Sequence, residues 1–234
     1  MHWALAPEVL RPLIPTPLEI DCFEGKAYLG LIPFDIPEVR PLQALPPVPT
    51  AGRFLETNLR TYVRLDGRPG VWFFSLEAQS ALAVLGARAF FGLPYHHAEM
   101  AMTTKTTPAK AAISEGTVDY TSRRIGAAPG QARLELGYEV GPPLGPAALG
   151  TLEHFLVERY VLYARHPLWG LVRGEVRHPP YPLRRATVHQ LEETLSAAAG
   201  ISALGAPLPA LYSEGVDVDV SPPLRAHRAD AYFP

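Results

Sequence analysis

The chain is poor in cysteine and lysine, and each shortage narrows what the protein can be. Its single cysteine, Cys22, cannot form an intramolecular disulfide, so the sequence fits a reducing compartment. Only three lysines, Lys26, Lys105 and Lys110, accompany a formal net charge of −2, which provides no basic surface for a polyanion. We therefore expect no nucleic acid partner.

Long apolar runs and export signals are also missing. The longest apolar stretch, residues 81–87, is far too short to cross a bilayer and ends at Arg88. The N-terminus lacks the charged, apolar and small-residue segments of a secretory signal peptide. These absences predict a cytoplasmic protein with no membrane partner.

Most familiar catalytic motifs are absent as well. The sequence contains no Gly-x-Ser-x-Gly nucleophile elbow, no phosphate-binding loop and no dinucleotide-binding Gly-x-Gly-x-x-Gly. Its eight histidines form no His-Glu-x-x-His motif, and the adjacent His96 and His97 would point to opposite faces of a strand. We predict neither a metal site nor a cofactor.

The residues that are abundant favour a compact β protein. Hydrophobic residues make up 47% of the 234 residues and charged residues 19%, so a sizeable core can form. The 26 prolines interrupt hydrogen bonding too often for long helices. Evenly spaced strands with only brief helices predict a mainly β fold, a closed or nearly closed barrel. No linker or repeat divides the chain, so we expect a single domain over residues 1–234.

The alternation of apolar and polar residues, together with the turn residues, predicts the positions of the helices, strands and loops. A helical turn is expected over residues 7–14, a first hairpin over 18–36, and helices over 78–91, within 153–164 and over 190–199. Later strands are expected over residues 95–104, 111–125, 132–140, 168–177 and 183–189, loops over 41–50 and 142–146, and an irregular tail from 207.

The most informative segment is 53–65, which pairs with 71–76 across turn residues 66–70. One face of its predicted strand carries Glu56, Asn58, Arg60 and Tyr62. The partner strand, which includes Trp72, is apolar on both sides, and this implies an enclosed neighbour. A buried carboxylate and guanidinium would need mutual pairing or a ligand. Two interpretations stay open: a face that lines a cavity, and a solvated face with ordinary ion pairs.

The chain contains a series of different short motifs in a characteristic order. They are His2-Trp3, Pro7-Glu8-Val9-Leu10 with Pro15, residues 56–63, residues 70–76, Ala87-Arg88, Leu93-Pro94-Tyr95, Ser122-Arg123, residues 152–156, Glu158-Arg159-Tyr160 and His178-Pro179-Pro180. Together they resemble the YqjF-like family, also called domain of unknown function 2071, over nearly the whole chain. That family looks like a branch of the acetoacetate-decarboxylase-like superfamily, which implies a β-barrel with an interior active site.

The resemblance also implies a change of chemistry. In the decarboxylases a Gly-x-Pro-Lys-Lys segment carries the lysine that forms a Schiff base. Its counterpart here is the segment 92–96, so Tyr95 stands at the nucleophile's position and His96 at that of its cationic neighbour. A phenol cannot form an iminium. Glu56 matches the position of an active-site carboxylate, and Arg88 matches the arginine that precedes the lysine segment.

We hypothesise an interior pocket that binds a small molecule bearing a carboxylate. Arg60, helped by Arg123 or Arg159, would pair with the anion. Glu56, Tyr95 and His96 would be its polar or acid–base groups. Asn58 would also line the pocket, and Tyr62 and Trp72 would form its walls. One alternative is a lysine-independent lyase or proton-transfer enzyme. Another is a non-catalytic structural or assembly protein with an internal polar network. A homo-oligomer stays open.

Overall fold

The computed structural model describes residues 1–38, 53–106, 116–128, 130–202 and 204–226. Its strands are β1 (His2–Leu5), β2 (Glu19–Ile20), β3 (Ala27–Ile36), β4 (Phe54–Leu65), β5 (Arg68–Ala78), β6 (Tyr95–Thr106), β7 (Gly116–Arg124), β8 (Arg133–Gly145), β9 (Val161–His166), β10 (Gly170–Arg177), β11 (Leu183–Glu193), β12 (Ala210–Ser213), β13 (Asp219–Val220) and β14 (Leu224–Arg225). Its helices are α1 (Pro7–Leu10), α2 (Ala81–Phe91), α3 (Leu152–Val157) and α4 (Leu195–Ala198), with a 3-10 turn at Arg11–Leu13. No helix within these ranges has the length and apolar character needed to cross a membrane.

Nine strands form a nearly closed barrel in the order β1-β3-β4-β5-β6-β7-β8-β11-β12. Neighbours along this path are antiparallel except β5 and β6, which are parallel. Helix α2 makes the crossover that a parallel pair requires. The predicted fold class, a mainly β barrel with a few short helices, is confirmed.

Strand β5 has two partners along one edge, and this creates a second layer. Its last residues pair with β6, whereas Val71 and Trp72 pair with β9. Strand β9 continues into β10, and the short β13 and β14 complete this layer. The fork allows a second group of apolar side chains to pack on the outer face of the barrel wall.

Strand β4 therefore lies between two hydrophobic cores. On one face, Leu55 and Leu59 join the larger core, to which most of the barrel strands contribute. On the other face, Tyr62 joins a core built from β5, β9, β10 and helix α3. Because both faces are covered, a polar side chain on β4 must find its partners inside the protein.

The main hairpin and the central helix agree with the sequence. Strands β4 and β5 pair from Glu56–Ala78 down to Leu65–Arg68, around the turn at Asp66 and Gly67. Helix α2 begins after Ser80, whose hydroxyl accepts a hydrogen bond from the Ala83 amide at 3.3 Å. It ends at Gly92, which adopts the left-handed conformation with φ 69°.

Several other predicted helices, strands and loops were wrong, and the pairing between strands explains the differences. Residues 190–193 extend β11 because they complete a ladder with β8, so the last helix is limited to α4. Strand β8 continues to Gly145 through the predicted loop 142–146 because it stays paired with β11. Strand β2 pairs with β4 rather than with β3, so the expected first hairpin is limited to the Phe23–Lys26 bridge around its predicted turn. The tail from residue 207 contains β12, β13 and β14. The expected loop 41–50 and residues 111–115 lie outside the described residues.

Two glycines of the α2 segment should respond oppositely to alanine. A Cβ at Gly92 would lie 2.6 Å from the His166 Cα at a positive φ, whereas a Cβ at Gly86 meets nothing within 4 Å. We expect Gly92→Ala to lower the free energy of unfolding by about 2 kcal/mol or more. Gly86→Ala should instead raise it by up to about 1 kcal/mol. Urea unfolding of both variants measures this, and equal effects would contradict the described end of α2.

Candidate ligand site on strand β4

A row of polar side chains follows one face of β4. Glu56 is 3% exposed, Asn58 is 7% exposed and Tyr62 is fully buried, while Arg60 is half-buried. Strand alternation aligns them because they are two residues apart. The interpretation as a solvated face is wrong, because these side chains are buried or half-buried; the lining of a cavity stays a prediction.

Glu56 forms one end of the row and contacts Tyr95. The Tyr95 hydroxyl donates a hydrogen bond of 3.0 Å to Glu56 Oε2. The pKa of Glu56 is raised to about 8: burial raises it most, the hydrogen bond from Tyr95 opposes the increase, and the Glu77 carboxylate adds a smaller increase. Burial, followed by the Glu56 charge, raises the pKa of Tyr95 well above its ordinary value. At neutral pH, Glu56 is therefore mostly a protonated acid and Tyr95 a phenol.

Local backbone contacts place these two side chains. The Tyr120 hydroxyl donates to the Glu56 carbonyl oxygen at 2.8 Å and lies 3.0 Å from the Thr57 hydroxyl on the other face of β4. Arg88, in the last turn of α2, donates from Nε to the Tyr95 carbonyl oxygen at 2.6 Å. Arg88 thus holds the start of β6 without pointing its exposed side chain into the row.

Tyr62 and Arg60 form the other end of the row. The Tyr62 hydroxyl donates to the Leu156 carbonyl oxygen at 2.8 Å, and Arg60 Nη2 donates to the same oxygen at 3.2 Å. His2 Nε2 lies 2.8 Å from the Tyr62 oxygen. Because the Tyr62 proton goes to Leu156, His2 must be the donor. Burial, with the nearby Arg60 charge contributing, lowers the pKa of His2 well below its ordinary value, so the ring is neutral.

Arg159 joins this end of the row from the loop after α3. Its guanidinium lies 5.0 Å from the centre of the Tyr62 ring and 4.0 Å from that of Phe155. Arg159 Nη1 contacts Asp21 Oδ2 at 2.7 Å, with both side chains about 95% buried or more. Asp21 also pairs with Arg64. A single buried carboxylate therefore serves two guanidinium groups.

Four buried polar atoms in the row and its surroundings have no hydrogen-bond partner. They are the carbonyl oxygen Oδ1 of Asn58, Nε of Arg60, Nε of Arg64 and Nη2 of Arg159. Within the described ranges, Arg60 also contacts no carboxylate. A buried donor or acceptor without a partner costs about 1–3 kcal/mol. This end of the row can therefore accept further hydrogen bonds and a negative charge.

The structure separates three residues that the sequence grouped with this site. Trp72 pairs with Thr61 and lies on the face opposite Tyr62. Arg123 is 64% exposed and forms an ion pair with Glu99 at the surface. His96 pairs with Glu77 on the face of the sheet opposite Tyr95 and lines a cavity on that face. The row instead contains Glu56, Asn58, Arg60 and Tyr62, with Tyr95 and Arg159 beside it.

Sequence reasoning missed other participants. His2 occurs in one of the motifs shared with the family, but no role was assigned to it. No sequence pattern indicated a role for Asp21. Glu158 accepts hydrogen bonds from the Tyr160 hydroxyl at 2.6 Å and the Tyr181 amide at 3.1 Å, so it fixes the chain on both sides of β9 and β10. In the described part of the chain, no group of three or more His, Cys, Asp or Glu residues could hold a metal ion.

Comparison with known proteins identifies the family of this chain. A family model described as an uncharacterized conserved protein, domain of unknown function 2071, matches residues 1–217. The uncharacterized protein YqjF of Bacillus subtilis strain 168 is 36% identical over 201 residues, which cover 86% of this chain and 78% of YqjF. The chain belongs to the YqjF-like family. The resemblance inferred from the motifs is confirmed.

Solved structures place this YqjF-like protein in the acetoacetate-decarboxylase-like fold. The enduracididine biosynthesis enzyme MppR complexed with pyruvate superposes with a TM-score of 0.57 at 18% identity, covering 94% of this chain and 80% of MppR. Acetoacetate decarboxylase from Legionella pneumophila gives a TM-score of 0.56 at 12% identity, covering 94% of this chain and 79% of the decarboxylase. At these identities the likeness establishes the fold.

We expect Tyr95→Phe to raise the pKa of Glu56 above its value of about 8, because the hydrogen bond from Tyr95 stabilises the carboxylate form. The Glu56 side-chain carboxyl, followed by 13C NMR between pH 5 and pH 10, measures the change. Tyr138→Phe is the control, because Tyr138 packs against Tyr212 away from the row. An unchanged or lowered pKa in Tyr95→Phe would show that the bond does not act on Glu56.

Proposed function

We propose that this YqjF-like protein binds a small organic molecule with a carboxylate group at the row on β4. Arg60 pairs with the carboxylate, and Arg159 Nη2 donates to the same group, while the Asn58 carbonyl oxygen accepts a hydrogen bond from a hydroxyl or N–H group of the molecule. Protonated Glu56 and Tyr95 contact the other end of the molecule. Binding in this arrangement needs no Schiff base.

The observation that carries the proposal is that, among the described residues, the guanidinium group of Arg60 lacks both a hydrogen-bond partner for Nε and a carboxylate partner. Its guanidinium is half-buried, its Nε atom has no partner, and within the described ranges no carboxylate neutralises its charge. A planar guanidinium binds a carboxylate through two parallel hydrogen bonds. A bound carboxylate would therefore satisfy both the charge and the unpaired donor.

The size and type of ligand follow from the neighbouring groups. A protonated Glu56 donates a hydrogen bond rather than repelling an anion, so a carbonyl or hydroxyl oxygen next to the carboxylate suits that end. One structural neighbour is described as complexed with pyruvate, a small oxo acid. Pyruvate and other short oxo acids are therefore the first ligands to test.

An internal structural network is the competing explanation. Such a network would pair its own polar groups, since a partly satisfied buried network is costly. The unpaired atoms of Asn58, Arg60 and Arg159 favour ligand binding instead. The Asp21 and Arg159 pair and the Glu158 contacts still serve as structural bracing around the row.

The proposal predicts a rise in melting temperature with a few carboxylates, lost in Arg60→Gln. A ligand present at a hundredfold its dissociation constant adds about 2.7 kcal/mol to the free energy of unfolding, because it binds only the folded state. Thermal unfolding with a panel of oxo acids, hydroxy acids and plain carboxylates measures the rise. Amides of the same acids test whether the charge is needed.

Arg123→Gln is the matched control, because it removes an arginine whose side chain is 64% exposed. It should keep the ligand response of the wild-type protein. No response to any acid, combined with strong destabilisation by Arg60→Gln alone, would show that Arg60 stabilises the fold and binds nothing.

A second candidate function is lysine-independent proton transfer, and the acidity of Glu56 favours it. A general base works best when its pKa lies near the working pH, and burial raises the pKa of Glu56 to about 8. In an oxo acid held by Arg60, the Glu56 carboxylate would take a proton from the carbon beside the carbonyl. The electron pair of that C–H bond would move to the carbonyl oxygen, giving an enolate that Tyr95 can stabilise.

This candidate predicts exchange of the pyruvate methyl hydrogens with deuterium from the solvent. Because the base is the ionised form, the exchange rate should rise with pH and level off above about 8. Glu56→Gln should abolish the catalysed part of the rate. Proton NMR in D2O, corrected for exchange without protein, measures it. Equal rates for wild type and Glu56→Gln would reject this candidate and leave binding intact.

A further inference from the structure

A polar cavity that is open to the surface lies on the opposite side of the sheet from Tyr95. It has a volume of about 410 Å3 and lies between the start of β6, the end of β7, the loop that precedes β8 and α4. Its lining residues are His96, Arg124, Ile125, Gly126, Ala127, Ala128, Gln131, Ala132 and Ala198. A volume of this size suits a small organic ligand, and the mouths of barrels are common ligand sites. The function proposed above uses none of these residues.

Arg124 is held rigidly in the wall of this cavity. Its Nε donates to Glu77 Oε1 at 3.1 Å, and its Nη2 contacts the same oxygen. Glu77 is fully buried, and its other oxygen accepts a hydrogen bond of 3.1 Å from Ser75. The pair fixes one edge of the guanidinium, and Nη1 on the opposite edge has no partner among the described residues. That edge can accept a second carboxylate.

The other walls define what the rest of the ligand can be. Burial and the charges of Arg124 and Arg88 lower the pKa of His96 to about 4, so its ring is neutral and can donate at one nitrogen and accept at the other. Most of the remaining lining side chains are the small apolar methyl groups of Ala127, Ala128, Ala132 and Ala198. These leave room for a short aliphatic body.

We propose that this cavity is a separate binding site for a short-chain monocarboxylate. The ligand carboxylate binds the free edge of Arg124, its body packs against the alanine methyl groups, and His96 hydrogen-bonds a polar atom of the ligand. Arg124 is the only cation among the described lining residues, and Glu77 occupies one edge of its guanidinium, which leaves a single edge for one carboxylate group. A second negative charge on the ligand would have no partner, which excludes dicarboxylates and phosphate esters.

Butyrate, with butyramide as its uncharged counterpart, tests this site in the full chain by 1H–15N NMR. We expect butyrate to shift the amides of Gly126, Ala128 and Ala198 and the imidazole of His96, and butyramide to bind at least about tenfold more weakly. Equal responses to both compounds would overturn the role of Arg124. No shift with butyrate in the tens of millimolar range would overturn the site.

Two variants of α4 provide a matched pair. Both residues are exposed, but Ala198→Leu places a larger side chain at the cavity, whereas Ala197→Leu adds the same atoms at a neighbour that does not line it. Ala198→Leu should weaken butyrate binding by about tenfold or more, and Ala197→Leu should leave it unchanged. Equal affinities in the two variants would refute the assignment.

The proposals for the two sites can be contradicted independently of each other. Arg60→Gln should leave the butyrate shifts around His96 unchanged, and Ala198→Leu should leave the thermal response to oxo acids unchanged. Butyrate shifts confined to the surroundings of Arg60 would contradict the second site while supporting the first.

Discussion

The burial of β4 on both faces is the constraint on which the rest of the structure depends. A strand between two cores has no solvent to which it can direct its polar groups. Glu56 therefore takes its hydrogen bond from Tyr95, and Tyr62 uses a carbonyl at the end of α3 together with His2. Elements far apart in the chain are assembled around this strand because its polar atoms require them.

The same constraint determines the acidity of Glu56. Glutamate in water ionises far below neutral pH, whereas the enclosed Glu56 has a pKa of about 8. A lysine at position 95 would place a cation beside Glu56 and favour the carboxylate. A tyrosine provides only a hydrogen bond and leaves the acid protonated.

Sequence predicts what is local. The alternation of residues 53–65 and the turn at Asp66 and Gly67 were sufficient to predict the main hairpin. The apolar partner strand indicated that the polar face could be enclosed but left a solvated face open. The position of Trp72 could not be predicted by alternation, because β5 carries a bulge opposite Leu59 and Arg60. That extra residue reverses which side chains of β5 share a face with Tyr62.

Sequence predicts long-range pairing much less well. Arg159 and Asp21 are 138 residues apart, and no local pattern joins them. Residues 190–193 have helix-forming side chains, yet the ladder with β8 outweighs that preference. Arg124 belongs to a pair of arginines that is too short to bind nucleic acid. Its importance becomes visible only when β5 and β7 bring it to Glu77.

Glu56 and Glu77 project from opposite faces of neighbouring strands, and the charge of Glu77 still raises the pKa of Glu56. The barrel wall is one backbone thick and has a low dielectric constant, so it transmits an electric field while blocking the passage of molecules. The proton affinity of Glu56 on one side of the wall consequently depends on the charge of Glu77 on the other side. Evolution can adjust that affinity by substitutions that never touch a ligand and never alter the shape of the space in which it binds.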